Sequence, residues 1–213
     1  EGLHLAYEAA MTRLDAVSGK YYNVGAHMLW IGERTRAVDG AHVEYFRGIA
    51  NPIGVKVGPD AGDDLPRLLD VLNPHNEPGR VTLITRTGLE HVRKALPRII
   101  RLVRKTGAEV NWCCDPMHGN TVNTERGRKT RRFQDILDEL AASFEIHAEL
   151  NTRLSGVHFE LTGEDVTECL GGGQNLSEAD LDARYESFCD PRLNYAQSME
   201  MSFLISEYVK QRT

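Results

Sequence analysis

The chain has 213 residues, of which 41% are hydrophobic and 26% charged, a balance that supports one sizeable core and excludes a disordered polymer. A formal net charge of -6 argues against a nucleic-acid partner, whose recognition needs clustered positive charge. No apolar run reaches the ~20 residues of a membrane span, so no membrane partner is expected.

The chain opens Glu1-Gly2-Leu3-His4, without methionine and directly in what reads as a helix, as expected of a chain cut from something longer. Five short apolar segments follow, each leading into a helical pattern. Residues 27–31 precede a helix near 34–49. Residues 54–57 precede one over 65–72, and 80–86 one over 89–104. Residues 109–115 precede a helix over 133–150. Residues 156–162 lead into short helices and a closing helix over 196–210. Strand and helix alternating this way predict βα units and a parallel sheet.

The phase of the strands narrows the architecture. Val157, Phe159 and Leu161 alternate with His158 and Glu160; Val55 and Val57 alternate with Gly54, Lys56 and Gly58; Val110 and Trp112 alternate with Asn111 and Asp115. One face is apolar and the other polar or small. That suits the lumen of a (β/α)8 TIM barrel near its C-terminal rim, whereas a doubly wound sheet favours continuous apolar runs. Five strands do not close an eight-stranded barrel, so the expectation is an incomplete α/β barrel of about five βα units.

Polar residues gather at the strand ends, where barrel active sites lie. Arg34, Lys56 and Arg86 put a cation on three successive strand ends; they either converge on an anion or pair with neighbouring carboxylates. His118, Glu160 and Asp190 offer an imidazole and two carboxylates, which suit Mn2+, Fe2+, Co2+ or Zn2+; taken singly, His118 reads as a loop histidine and Asp190 as a cap. Asp115-Pro116 and Asp190-Pro191 read as turns, and Gly171-Gly172-Gly173 as a flexible connection. Arg126, Arg128, Lys129, Arg131 and Arg132 form either a solvated loop and helix start or a second phosphate site. Cys113, Cys114, Cys169 and Cys189 form no CxxC pair, and no signal peptide is visible, so four reduced thiols in a cytoplasmic protein are expected.

Several long strings resemble class II 3-deoxy-D-arabino-heptulosonate 7-phosphate (DAHP) synthases. They are residues 27–36 (HMLWIGERTR), 51–59 (NPIGVKVGP), 73–80 (NPHNEPGR), 114–121 (CDPMHGNT), 158–163 (HFELTG), 167–172 (TECLGG) and 189–194 (CDPRLN), spread over nearly the whole chain. The resemblance implies that residues 1–213 are the C-terminal part of a single (β/α)8 domain that condenses phosphoenolpyruvate with erythrose 4-phosphate, the first step of the shikimate pathway. It implies a divalent metal, Mn2+ foremost, held by His118, Glu160 and Asp190. It further implies phosphoenolpyruvate contacts from Trp30, Glu33, Arg34, Lys56 and Arg86, with Glu33, Lys56 and His118 in catalytic roles and Lys129 and Arg131 near the sugar phosphate. The family's fourth metal ligand, a cysteine, and one phosphoenolpyruvate arginine come from an N-terminal half absent from these residues. The resemblance therefore implies pairing with a segment that completes the barrel, or a homo-oligomer, and Cys189 could approach the missing cysteine. A non-catalytic truncated homologue, or a secondary-metabolism synthase using a related aldose phosphate, are the alternatives.

Overall fold

The computed structural model describes residues 1–210. A short helix α1 (Leu5–Ala10) leads into an antiparallel hairpin of β1 (Thr12–Leu14) and β2 (Tyr21–Asn23). Buried Asn23 ties this hairpin down. Its Nδ2 donates to Glu8 Oε2 at 2.7 Å and its backbone N donates to Asn51 Oδ1 at 2.8 Å.

The main sheet holds five parallel strands side by side in chain order: β3 (Leu29–Ile31), β4 (Ile53–Val57), β5 (Val81–Thr85), β6 (Val110–Cys114) and β9 (Leu154–Val157). Between them run α2 (Ala41–Arg47), α3 (Asp64–Leu72), α4 (Leu89–Thr106) and α5 (Phe133–Glu149). A parallel neighbour can be reached only by a crossover, which these helices supply. Strand alternation turns Ile31, Val55, Val57 and Leu83 toward the helices. They meet there Phe46 of α2, Leu65 and Leu68 of α3, and Leu96 and Ile99 of α4 in one buried core. A second core joins Cys114, Met117, Phe133, Ile136 and Leu140 to Leu193 and to Met201 of the closing helix α6 (Tyr195–Lys210).

The other face of the sheet is concave. A Cβ on Gly54 would come within 2.8 Å of both the Ile84 and Trp30 side chains, so only glycine fits on β4 there. Trp30 on β3 and His158, just past β9, meet edge to face with ring centroids 5.1 Å apart. These residues belong to opposite edges of the sheet, so the sheet curls until its edges look at one another.

The structure departs from expectation in three places. The helix expected near 34–49 is a 3-10 turn (Glu33–Thr35) and a separate α2, because Gly40 is extended (ψ 154°) and breaks the run. The last strand begins at Leu154 and leaves the ladder after Val157; the chain continues through Leu161, which bridges to Leu193. The basic stretch after His118 is an antiparallel hairpin, β7 (Thr121–Asn123) with β8 (Lys129–Arg131), where a loop and helix start were expected. All four cysteines are free thiols. Among the described residues no helix is long and apolar enough to cross a membrane.

Candidate active site

The site is assembled on Asp115, the first residue after β6. Its side chain is wholly buried. Oδ1 accepts the backbone N–H groups of Met117 (3.0 Å) and His118 (3.2 Å), which makes the Asp-Pro turn the sequence suggested. Oδ2 accepts from His118 Nδ1 at 2.7 Å and from the Lys56 ammonium on β4. Burial opposes ionisation of Asp115, yet the His118 hydrogen bond and the Lys56 charge outweigh it and hold the carboxyl well below the usual carboxylate range. Among the described residues Lys56 is therefore the one inward cation of the expected three that pairs with a carboxylate.

With Nδ1 engaged, His118 turns Nε2 toward Glu160 Oε1 at 3.2 Å and Asp190 Oδ2 at 3.9 Å. Ligand-type atoms of His118, Glu160 and Asp190 all lie within 4.8 Å of one another. Hydrogen bonds to Asp115 and Glu160 push the imidazole up to about 9. Each carboxylate is anchored by its other oxygen. Arg131 Nη1 meets Glu160 Oε2 at 2.5 Å, and Lys129 Nζ meets Asp190 Oδ1 at 2.8 Å. Burial raises both acids, but His118 and Arg131 more than offset it for Glu160, and Lys129 for Asp190, so both lie below their usual values. Asp190 is placed by the fully buried Glu168, which accepts from Ser187 N, Arg192 N and the Arg192 guanidinium at 2.6–2.9 Å and so folds the 187–192 segment.

This donor set fits a divalent transition metal: one imidazole nitrogen and two carboxylate oxygens converge, and each ligand is oriented from behind by a hydrogen-bonded partner.

Beside the triad opens a cleft of about 460 Å³ lined by Trp30, Glu33, Arg34, Lys56, Arg86, Lys129 and His158. Arg34 is exposed and makes no ion pair among the described residues. Arg86 donates Nη2 to His118 O at 3.2 Å, and its buried Nε has no partner among the described residues. Lys56 Nζ stands 6.0 Å from the Trp30 ring centroid. Glu33 spans two strand ends: Oε2 accepts from Gly58 N at 2.5 Å and Oε1 pairs with Arg36 Nε at 3.2 Å.

Arg131 differs from its expected role at a sugar phosphate. Its side chain is fully buried and bonds Glu160, Thr121 Oγ1 (3.0 Å) and Pro191 O, because a buried guanidinium is retained where a carboxylate answers it. Lys129, half exposed, stays at the cleft wall. Asp115 is the residue that the turn reading undervalued; its place on the polar phase of β6 was the signal that it points inward.

A family model described as the class-II DAHP synthetase family matches residues 1–206. The chain belongs to the class-II DAHP synthetase family. It is 50% identical over 97% of its length to the phospho-2-dehydro-3-deoxyheptonate aldolase of Streptomyces coelicolor, covering 46% of that protein. It is 52% identical over 99% of its length to the protein of the same description from Neurospora crassa and to phospho-2-dehydro-3-deoxyheptonate aldolase AroG of Mycolicibacterium smegmatis, covering 47% of each. The chain thus spans about half the length of the curated relatives it matches.

Proposed function

We propose that this chain carries the metal-binding and much of the phosphoenolpyruvate-binding part of a DAHP synthase, a transferase that joins phosphoenolpyruvate to erythrose 4-phosphate. The five sequential strands would form part of a (β/α)8 barrel, completed by polypeptide equivalent to the relatives' remaining length. The observation that carries the reading is the convergence of His118, Glu160 and Asp190 beside a cleft whose Arg34 and Arg86 meet no carboxylate among the described residues, in a chain of this family.

His118, Glu160 and Asp190 would hold the divalent metal, Mn2+ foremost, which when bound supplies Lewis acidity toward an aldehyde oxygen. The protein groups do the rest. Arg34 and Arg86 present guanidinium forks to the phosphate and carboxylate of phosphoenolpyruvate, with Lys56 as a third positive charge. Asp115 orients His118 through Nδ1, so that Nε2 faces Glu160 and Asp190, and pairs with Lys56 in a buried position. Trp30 and His158 wall the cleft and hold the enol carbon in line for attack. Lys129 is the cation left to meet a second phosphate. Glu33 orients the strand ends and lies within the cleft, where it can order an attacking water.

The test is binding to the full-length protein. Mn2+ should bind with one-to-one stoichiometry and lose at least about tenfold in affinity in His118→Ala. Arg86→Ala should raise the phosphoenolpyruvate KM sharply while leaving Mn2+ affinity unchanged. Unaltered kinetic constants in Arg86→Ala, or undiminished Mn2+ binding in His118→Ala, would remove those residues from the roles given.

A further inference from the structure

Glu139, on α5, lies behind the cleft and takes no part in lining it. It is 1% exposed, and no cation pairs with it among the described residues. Oε1 accepts from Thr87 Oγ1 and Gly88 N, both at 2.9 Å, and Oε2 accepts from Asn120 Nδ2 at 2.7 Å. Asn120 completes the link by accepting from Leu89 N at 2.9 Å and donating to Pro116 O at 2.9 Å. These donors sit on two loops. One follows β5 and carries Arg86; the other follows β6 and carries His118.

The two loops lie backbone against backbone. A Cβ on Gly119 would stand 2.3 Å from Gly88 N, and a Cβ on Gly88 would stand 2.7 Å from Gly119 O. Across the same seam Arg86 Nη2 reaches His118 O at 3.2 Å. A buried carboxyl with no counter-ion works against stability. Burial accordingly pushes Glu139 up to about 7 despite its hydrogen bonds. What the side chain does contribute is geometry, since it grips both loops at once.

We infer that Glu139 is a positioning residue that locks the Arg86 loop to the His118 loop, so that cation binding at His118 and anion binding at Arg86 are thermodynamically coupled. The inference rests on the reading of the site as a metal and phosphoenolpyruvate site. A coupling between two such loops is expected to be on the order of tenfold.

Glu139→Gln is the discriminating variant. It keeps an acceptor for Thr87 and Gly88 but turns an NH2 toward Asn120 Nδ2, so the bond through which Glu139 reaches the His118 loop is broken while its grip on the Arg86 loop remains. In the full-length protein, phosphoenolpyruvate affinity is measured with and without saturating Mn2+. The wild type should bind about tenfold tighter with Mn2+, and the variant about equally in both conditions, with Mn2+ affinity alone changing less than about threefold. Asn120→Ala, which removes that bond together with those to Leu89 N and Pro116 O, should reproduce the result and serves if Glu139→Gln fails to fold. A variant that keeps the wild-type ratio, or a wild type with no ratio to lose, overturns the inference. If the wild type binds neither probe, the functional reading fails instead, and backbone amide exchange decides the role of Glu139. Exchange should quicken at Leu89 and at Asn120 together while β4 and β5 stay protected. Quickening at one loop alone, or throughout the protein, overturns the link.

Discussion

A single oxygen of Asp115 answers both an imidazole and an ammonium, and the two pairs reach across very different stretches of chain. The bond to His118 spans three residues and the one to Lys56 spans 59. Asp115→Asn would leave the Lys56 charge buried beside an amide. The expected cost is about 3–5 kcal/mol of stability, read from urea unfolding of the full-length protein; a loss below about 1 kcal/mol would mean that Lys56 finds another partner. The cysteines give a second residue-level prediction. Burial pushes Cys113 and Cys169 up to about 12 and holds Cys114 well above the ordinary thiol value, while Cys189 is exposed. A thiol reagent at about pH 8 should modify Cys189 rapidly and the other three slowly, as peptide mapping would report, because the thiolate is the reacting form. Rapid labelling of Cys113 would contradict the burial described. At this scale the sequence announced the chemistry of the site but not its pairings. His118, Glu160 and Asp190 were visible as ligand types. That Arg131 faces Glu160 from 29 residues away, or that Glu139 bridges two loops, is a product of folding and has no signature in spacing.

The elements were legible where apolar residues alternate with polar or small ones. That alternation placed β6, which is buried on one face, and also β4, whose polar face is buried too because Lys56 turns into the site. The β7–β8 hairpin was not legible. Its strands are three residues each, Thr121-Val122-Asn123 and the basic Lys129-Thr130-Arg131, and the wholly buried side chains there are those of Thr130 and Arg131 rather than apolar ones. The split of the expected 34–49 helix turned on the conformation of Gly40, which composition does not reveal. Close contacts between elements carry their own prediction. Gly119→Ala drives a methyl into the Gly88 backbone, which cannot yield as a flexible side chain could. The loops should separate, costing activity at least about tenfold with a smaller loss of stability. Full activity in this variant would show that the seam has slack.

At the scale of the molecule, acid and neutral pH act on different groups. Asp115, Glu160, Asp190 and Glu168 titrate below their usual values, so the stability they contribute is present at neutral pH and lost as pH falls through those lowered values. Glu139 runs the other way. The unfolded chain releases this proton first, so stability falls as pH rises from about 4.5 toward 7 and then levels off. Relative to Glu139→Gln, the wild type should lose about 2–3 kcal/mol between about pH 5 and pH 8, measured by urea midpoints at each pH. Parallel curves for the two proteins would place the Glu139 proton elsewhere. The curl of the main sheet has a consequence of another kind. β3 and β9 both end the ladder, with Trp30 O of β3 taken by Gly2 N at 3.0 Å, and both run in the same direction on either side of one gap. A loose peptide could satisfy one rim but would leave the other bare. In the proposed barrel, the opening would be closed by further co-directional strands, each with a return path of about a dozen residues or more, so the closing piece would itself be a folded body.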